Sequence, residues 1–364
     1  MTTIKEIFQD NGPEYVERFG DAMPSEHLKV IDAIINCRTD YYGATLFQCE
    51  KCGQKHLVYC SCGNRHCPNC QHHKTHKWLE KQLDRQLPGH HFMITFTMPQ
   101  QLRRFIRSHQ RLCYSAMFKA SSETMKKLAA DKKYIGGDLP GFLGVLHTWG
   151  RQLTYHPHIH YIVPGGALSK ADDRWHPSRI DFFLPVAAMS KIFRAKFRDE
   201  MSKSELFTQI PSELWNQAWI VNCQAVGNSE NSVKYLAPYV FKVAISNRRI
   251  IKVQEGKVLF KYRKTHSNRW RTMALNAMEF IRRFLQHVLP TGFMKIRYYG
   301  FLHSSSSVPL EKVSTLIELA YGFEIVKPET KIEPFELPTC IHCGGNLKYI
   351  ASIQRFAPIL SGAG

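Results

Sequence analysis

Two periodicities divide the chain. Through Phe92-Met93-Ile94-Thr95-Phe96-Thr97-Met98 the bulky apolar residues recur at every second position, and Pro99 ends the run. Such alternation puts one set of side chains on each face of a pleated strand, so the segment predicts a strand inside a sheet. Similar runs predict strands at Phe142–His147, Leu153–Val163 and Ala218–Gln224, and Glu255-Gly256 between alternating segments predicts a hairpin. Helical spacing governs other stretches. Ile4, Ile7 and Phe8 form one apolar stripe, and Leu28, Ile31 and Ile35 form a second behind a Ser25 cap. Trp78, Leu79, Leu83 and Leu87 form a third, stopped by Pro88-Gly89. A longer helical region is expected from Gln101 to about Lys127, with Arg103, Arg104, Arg107 and Arg111 opposite its apolar side. Further helices are expected near Ser190–Met201, Met278–Val288 and Leu310–Leu319. Antiparallel strands mixed with helices predict an α+β fold, a sheet with helices packed on it.

The strand with the most chemistry is His156-Pro157-His158-Ile159-His160. In extended backbone His158 and His160 point the same way while Ile159 packs behind them. Two neutral imidazoles on a rigid strand make a partial shell for a divalent cation, with positions left open for water, carboxamide or phosphate oxygens. Gln152 has the same strand parity and is the expected third ligand. His156 also has it, and is expected to orient the others through a hydrogen bond. Tyr235 and Tyr239 are spaced to stack on one helical face, where a metal-polarised phosphate would give a phenol something to attack. Solvated histidines and core tyrosines are the competing reading, and Pro238 interrupts a simple helix.

Charge changes the picture. Among 364 residues, 49 Lys and Arg face 30 Asp and Glu, a net +19 that calls for a polyanionic partner. No apolar run is long enough to span a membrane and the N-terminus reads as no secretory signal, so a cytoplasmic location is expected. In that compartment the 11 cysteines point to metal rather than disulfides. Cys49-Glu50-Lys51-Cys52 and Cys67-Pro68-Asn69-Cys70 are zinc knuckles, expected to close one four-thiolate site. Cys37, His56, Cys62 and His66 are the expected ligands of a second, so two structural zinc ions are expected. Cys340-Ile341-His342-Cys343 is half a site that needs ligands from elsewhere or from a second chain. Past the tyrosines, Lys242, Arg248, Arg249, Lys261 and Arg263 interleave with aromatic residues, a pattern suited to phosphates and unpaired bases.

In this order, the Cys62–Cys70 segment, the Phe92 strand, His147-Thr148-Trp149-Gly150, the histidine strand and Tyr235-Leu236-Ala237-Pro238-Tyr239 resemble the two-tyrosine HUH transposases of rolling-circle insertion sequences, the family of insertion sequence ninety-one. The resemblance runs to about residue 305. It implies an RRM-like antiparallel nuclease sheet with the histidine strand central, preceded by a small zinc-binding domain. It also implies Mg²⁺ or Mn²⁺ at the histidines and cleavage of single-stranded transposon ends through 5′-phosphotyrosine intermediates. The bacterial nucleoid would be the place of work. The expected domains are 1–88 with the zinc ligands, 89–303 with the nuclease, and 304–364 as linker and tail. Two rivals stay open: a plasmid or phage rolling-circle initiator or relaxase, and a zinc-dependent DNA-binding protein without catalysis. The sequence leaves the oligomeric state undetermined.

Overall fold

In a computed structural model, which describes residues 2–227, 230, 233, 234, 237, 240, 245–263, 267, 269–322 and 339–354, the histidine strand lies in the middle of a five-stranded sheet. Its strands are β1 (His91–Thr97), β2 (Phe142–Trp149), β3 (Tyr155–Pro164), β4 (Ile220–Gly227) and β5 (Ile296–Tyr299). They are ordered β5-β2-β3-β1-β4, and every neighbouring pair is antiparallel. The expected strands are all present, and β2 and β3 form the expected hairpin.

One face of this sheet is covered by helices α1 (Gln110–Ala130) and α2 (Val186–Met201). Phe92, Ile94 and Phe96 of β1, Phe142 and Leu146 of β2, and Ile159 and Tyr161 of β3 enter a common core with Phe118 and Phe193. Phe96 meets Phe193 edge-on at 4.9 Å between ring centroids, and the Tyr161 hydroxyl lies 2.6 Å from Ser121 Oγ on α1. The long helix expected from Gln101 is divided: a 3-10 turn at Gln100–Leu102 leads to a short helix at Arg103–Ser108, and α1 begins after His109. His109 leaves helical geometry at φ −124° and ψ 46°.

These strands belong to one of two compact units, formed by His76–Val240 and Leu289–Thr330. The helix Leu310–Tyr321 packs within it through Val313 and Ile317 against Leu87, Trp175 and Phe301. The other unit draws on Met1–Thr75, Phe241–Val288 and Lys331–Gly364. There the helix Ile4–Phe19 starts with a capping box, Thr3 accepting from the Glu6 N–H and Glu6 accepting from the Thr3 N–H. Ser25 is the first residue of its helix rather than the cap, a position held by Pro24. Phe8 packs edge-on against Phe284 at 5.1 Å. One three-stranded sheet joins Leu347–Ile353, Ala44–Cys49 and Lys55–Tyr59; another joins Ile250–Gln254, Lys257–Arg263 and Trp270–Asn276.

Gly144 of β2 fixes where Tyr161 lies. A Cβ built there would come within 2.4 Å of the Tyr161 ring, so only a residue without a side chain lets that ring cross β2. Gly144→Ala is expected to cost about 2–3 kcal/mol through overpacking, read as a lower denaturant midpoint at unchanged slope.

Candidate metal centres

The residues opposite the helices form the first centre. Cross-strand pairing sets His147 against His158 and Val145 against His160, while Thr97 and Thr95 of β1 pair with the same two histidines. Paired residues share a face, so three imidazoles and two threonines gather on the side away from α1 and α2. One ring nitrogen from each of His147, His158 and His160 lies within 4.8 Å of the others. His147 is the residue that sequence parity missed. Its signal was present in the hairpin reading, since a strand paired with β3 must offer cross-strand neighbours, but the register that selects His147 is a property of the folded pair.

Gln152 lies in the turn between β2 and β3. The pairing is irregular between His147 and Trp149, and Leu153 takes φ 59°. Alternation therefore does not carry through the turn, and strand parity does not fix where the Gln152 carboxamide lies. His156 sits on the histidine face beside His158, ring centroids 5.1 Å apart, and its Nδ1 contacts the Arg103 guanidinium.

Burial holds all three imidazoles neutral, with His160 pushed down to about 4 and His147 and His158 well below their ordinary value. The His158 Nδ1 lies 2.6 Å from the His156 carbonyl, which only accepts, so Nδ1 carries the proton and Nε2 the lone pair. Thr95 Oγ1 stands 2.9 Å from His160 Nδ1 and plays the same part when that nitrogen donates. Neutral imidazoles with one nitrogen fixed by hydrogen bonding are what a divalent cation requires.

The cysteines assemble in another grouping than the spacing suggested. Cys37, Cys62, Cys67 and Cys70 form one cluster, and Cys49, Cys52, Cys340 and Cys343 form the other. The two N-terminal knuckles therefore do not share a site. The strand Leu347–Ile353 pairs with Ala44–Cys49, which brings the C-terminal half-site to the first knuckle, while Cys67 and Cys70 close on Cys37. Sulfur separations of 3.2 Å (Cys37–Cys70), 3.3 Å (Cys62–Cys70), 3.5 Å (Cys49–Cys343) and 3.7 Å (Cys52–Cys340) suit tetrahedral zinc, whose ~2.3 Å bonds put sulfurs about 3.8 Å apart. Hydrogen bonding with Cys37 pushes the Cys70 thiol far down and the Cys67 thiol far up. The two histidines are left outside the clusters. His66 Nε2 accepts from Arg65 at 3.3 Å, and His56 Nε2 lies 3.2 Å from Cys340 Sγ.

Of the expected DNA-binding residues, Lys261 and Arg263 are exposed on the strand Lys257–Arg263, and Arg263 lies 5.0 Å over the Trp270 ring, itself 53% exposed. Arg248 is exposed, and Arg249 donates to the Lys261 carbonyl at 2.7 Å. Phe260 is core, packed against Phe280. Tyr235, Tyr239 and Lys242 lie outside the described residues.

Two outcomes follow from these centres. The purified chain is expected to carry two zinc ions and the Cys340→Ser, Cys343→Ser variant one, counted by native mass spectrometry. Each structural zinc adds on the order of 10 kcal/mol to folding. Stability is also expected to fall from pH 7 to pH 5. Burial pushes His91 down to about 4, like His160, so below the ordinary histidine value the unfolded chain binds protons that the folded chain refuses. Chemical denaturation in magnesium-free buffer reads the loss, which is expected to be smaller in His158→Gln.

Residues 141–308 match the family described as "Putative transposase", and residues 7–98 match the "Transposase zinc-binding domain". The chain is 34% identical over 322 residues to "Putative transposase y4qJ" of Sinorhizobium fredii, covering 80% of this chain and 81% of that protein. It is 24% identical over 355 residues to "Transposase for insertion sequence element IS801" of Pseudomonas savastanoi pv. phaseolicola, covering 90% and 84%. No solved structure matches. No helix among the described residues is long and apolar enough to cross a membrane. With a relative at this identity spanning four fifths of both chains, and with His147, His158 and His160 inside the matched segment 141–308, the chain belongs to the transposases of the IS91/IS801 family of insertion sequences.

Proposed function

We propose that this transposase cuts single-stranded DNA at the imidazole cluster, with Tyr235 and Tyr239 as successive nucleophiles. The observation that carries the reading is the convergence of His147, His158 and His160 nitrogens within 4.8 Å on the sheet face opposite the helices. A fully antiparallel sheet with the histidine strand in its middle supports an RRM-like HUH core.

His147, His158 and His160 hold a divalent cation, and Gln152, in the turn that feeds β3, is the proposed source of an oxygen ligand. A Mg²⁺ or Mn²⁺ ion held by these residues would supply polarisation of the scissile phosphate. The phenol gives up its proton as its oxygen bonds to phosphorus, the bond from phosphorus to the 3′-oxygen breaks, and that oxygen takes up a proton. A 5′-phosphotyrosine and a free 3′-hydroxyl result. A second cut by the other phenol lets the hydroxyl resolve the first adduct, so transposon ends join target without ATP.

Residues 230, 233, 234, 237 and 240 are helical, and Val233, Ala237 and Val240 are buried. Val233 lines a cavity with Leu143 and Ile162, which pair on the same face as the histidines. Arg248, Arg249, Lys261 and Arg263, with Lys242, are assigned to the DNA backbone, and the zinc modules to recognition of the element's ends.

The test uses single-stranded oligonucleotides of the element's own ends with Mn²⁺, resolved on denaturing gels. Wild type is expected to form a covalent adduct, and Tyr235→Phe with Tyr239→Phe none. His147→Ala is expected to slow adduct formation by more than the ~10–100-fold typical of an outer-shell partner. An adduct that survives in the double phenylalanine variant removes the nucleophile assignment.

A further inference from the structure

A cleft of about 670 Å³ opens beside β5, the edge strand two places from the histidine strand. Arg111 and Lys126 of α1, Arg297 of β5, and the rings of Phe293, Tyr298 and Tyr299 line it, and no carboxylate among the described residues does. No ion pair among the described residues involves these three cations. Their neighbours are neutral. Arg297 lies 4.3 Å over the Phe118 ring, Lys126 lies 5.6 Å over Tyr299, and Arg111 donates to the Thr291 carbonyl. Positive charge held by rings and a carbonyl remains available to an anion. Met294, 68% exposed at the same cleft, adds apolar surface that water covers at a cost.

β5 also runs past the imidazole cluster, which lies on the sheet face opposite α1. Lys295, between the lining residues Met294 and Ile296, places Nζ 4.7 Å over the Trp149 ring, and Trp149 stacks on His147 at 4.8 Å and 19°. Ile296 pairs with Val145, and Val145 pairs with His160, so two strand spacings, about 10 Å, and a turn around the β5 edge separate the cleft's cations from the cluster.

We infer that this cleft holds a nucleotide of the unpaired strand flanking the phosphate at the imidazoles. Its base lies against the rings and Met294, and its phosphates lie on Arg111, Lys126 and Arg297. Cations alternating with aromatic surface match the two chemistries that recur along a single strand, and a base still paired in a duplex cannot offer its face to a ring. The inference rests on the proposed cleavage reading for the position of the strand, but its test needs no cleavage.

The Tyr235→Phe, Tyr239→Phe protein is titrated without divalent metal against a short fluorescein-labelled oligothymidylate at several salt concentrations. Adding Arg111→Gln and Lys126→Gln, both at exposed positions, is expected to weaken binding roughly tenfold and to flatten the dependence of log Kd on log salt by about 1.4, since each phosphate contact on a single strand contributes about 0.7. Photocrosslinking with 5-iododeoxyuridine is expected to label residues within 293–299. Unchanged affinity and slope overturn the cleft assignment, as do crosslinks confined to other segments. An equal loss of affinity for a duplex of the same length overturns the preference for an unpaired strand. Failure of the cleavage reading is seen separately, as wild type forming no covalent adduct on the element's ends.

Discussion

Everything at the imidazole centre depends on the alternation of side chains along β3. Ile159 and Tyr161 are fully buried on the helix side, and Tyr161 is fixed by the Ser121 hydroxyl and by the absence of a side chain at Gly144. With those two anchored, His158 and His160 have no freedom to point anywhere but the opposite face, because a one-residue slip would exchange the two sets. The burial that stabilises the sheet therefore also aims the ligands. The same burial keeps the imidazoles deprotonated and ready to bind a cation.

The other unit follows a different rule. Its small sheets bury little, and beside a core of Phe8, Phe260, Phe280 and Phe284 two sulfur clusters tie together segments far apart in the chain. Cys340 and Cys343 complete a site begun by Cys49 and Cys52, across nearly three hundred residues. Closing so long a loop costs chain entropy, which strand pairing between Ala44–Cys49 and Leu347–Ile353 and a metal site together offset. The C-terminal segment is therefore a structural part of the cysteine-rich module.

Family membership and geometry support different parts of the functional reading. The comparisons identify a transposase of an insertion sequence, which leaves aside the replication initiator and the non-catalytic DNA binder that the sequence alone kept open. The geometry adds three imidazoles on β2 and β3 with a threonine beside His160 on one face of a sheet, and a cationic, ring-lined cleft between β5 and α1.

The sequence by itself determined the elements whose signal is local. Period-two runs marked the sheet strands, apolar stripes marked the helices, and His158 and His160 were legible as a same-face pair because strand parity is a covalent consequence of the pleat. Cysteine spacing likewise gave the knuckles. Only the tertiary structure decided what met what. His147 joined the pair through the register of a hairpin, and parity could not predict its role across the irregular turn that holds Gln152. Cys67 and Cys70 went to Cys37 and Cys62, while Cys49 and Cys52 took partners from the C-terminus. Spacing reports which ligands one short segment can offer to an ion, whereas partnership between segments is fixed by long-range pairing and packing.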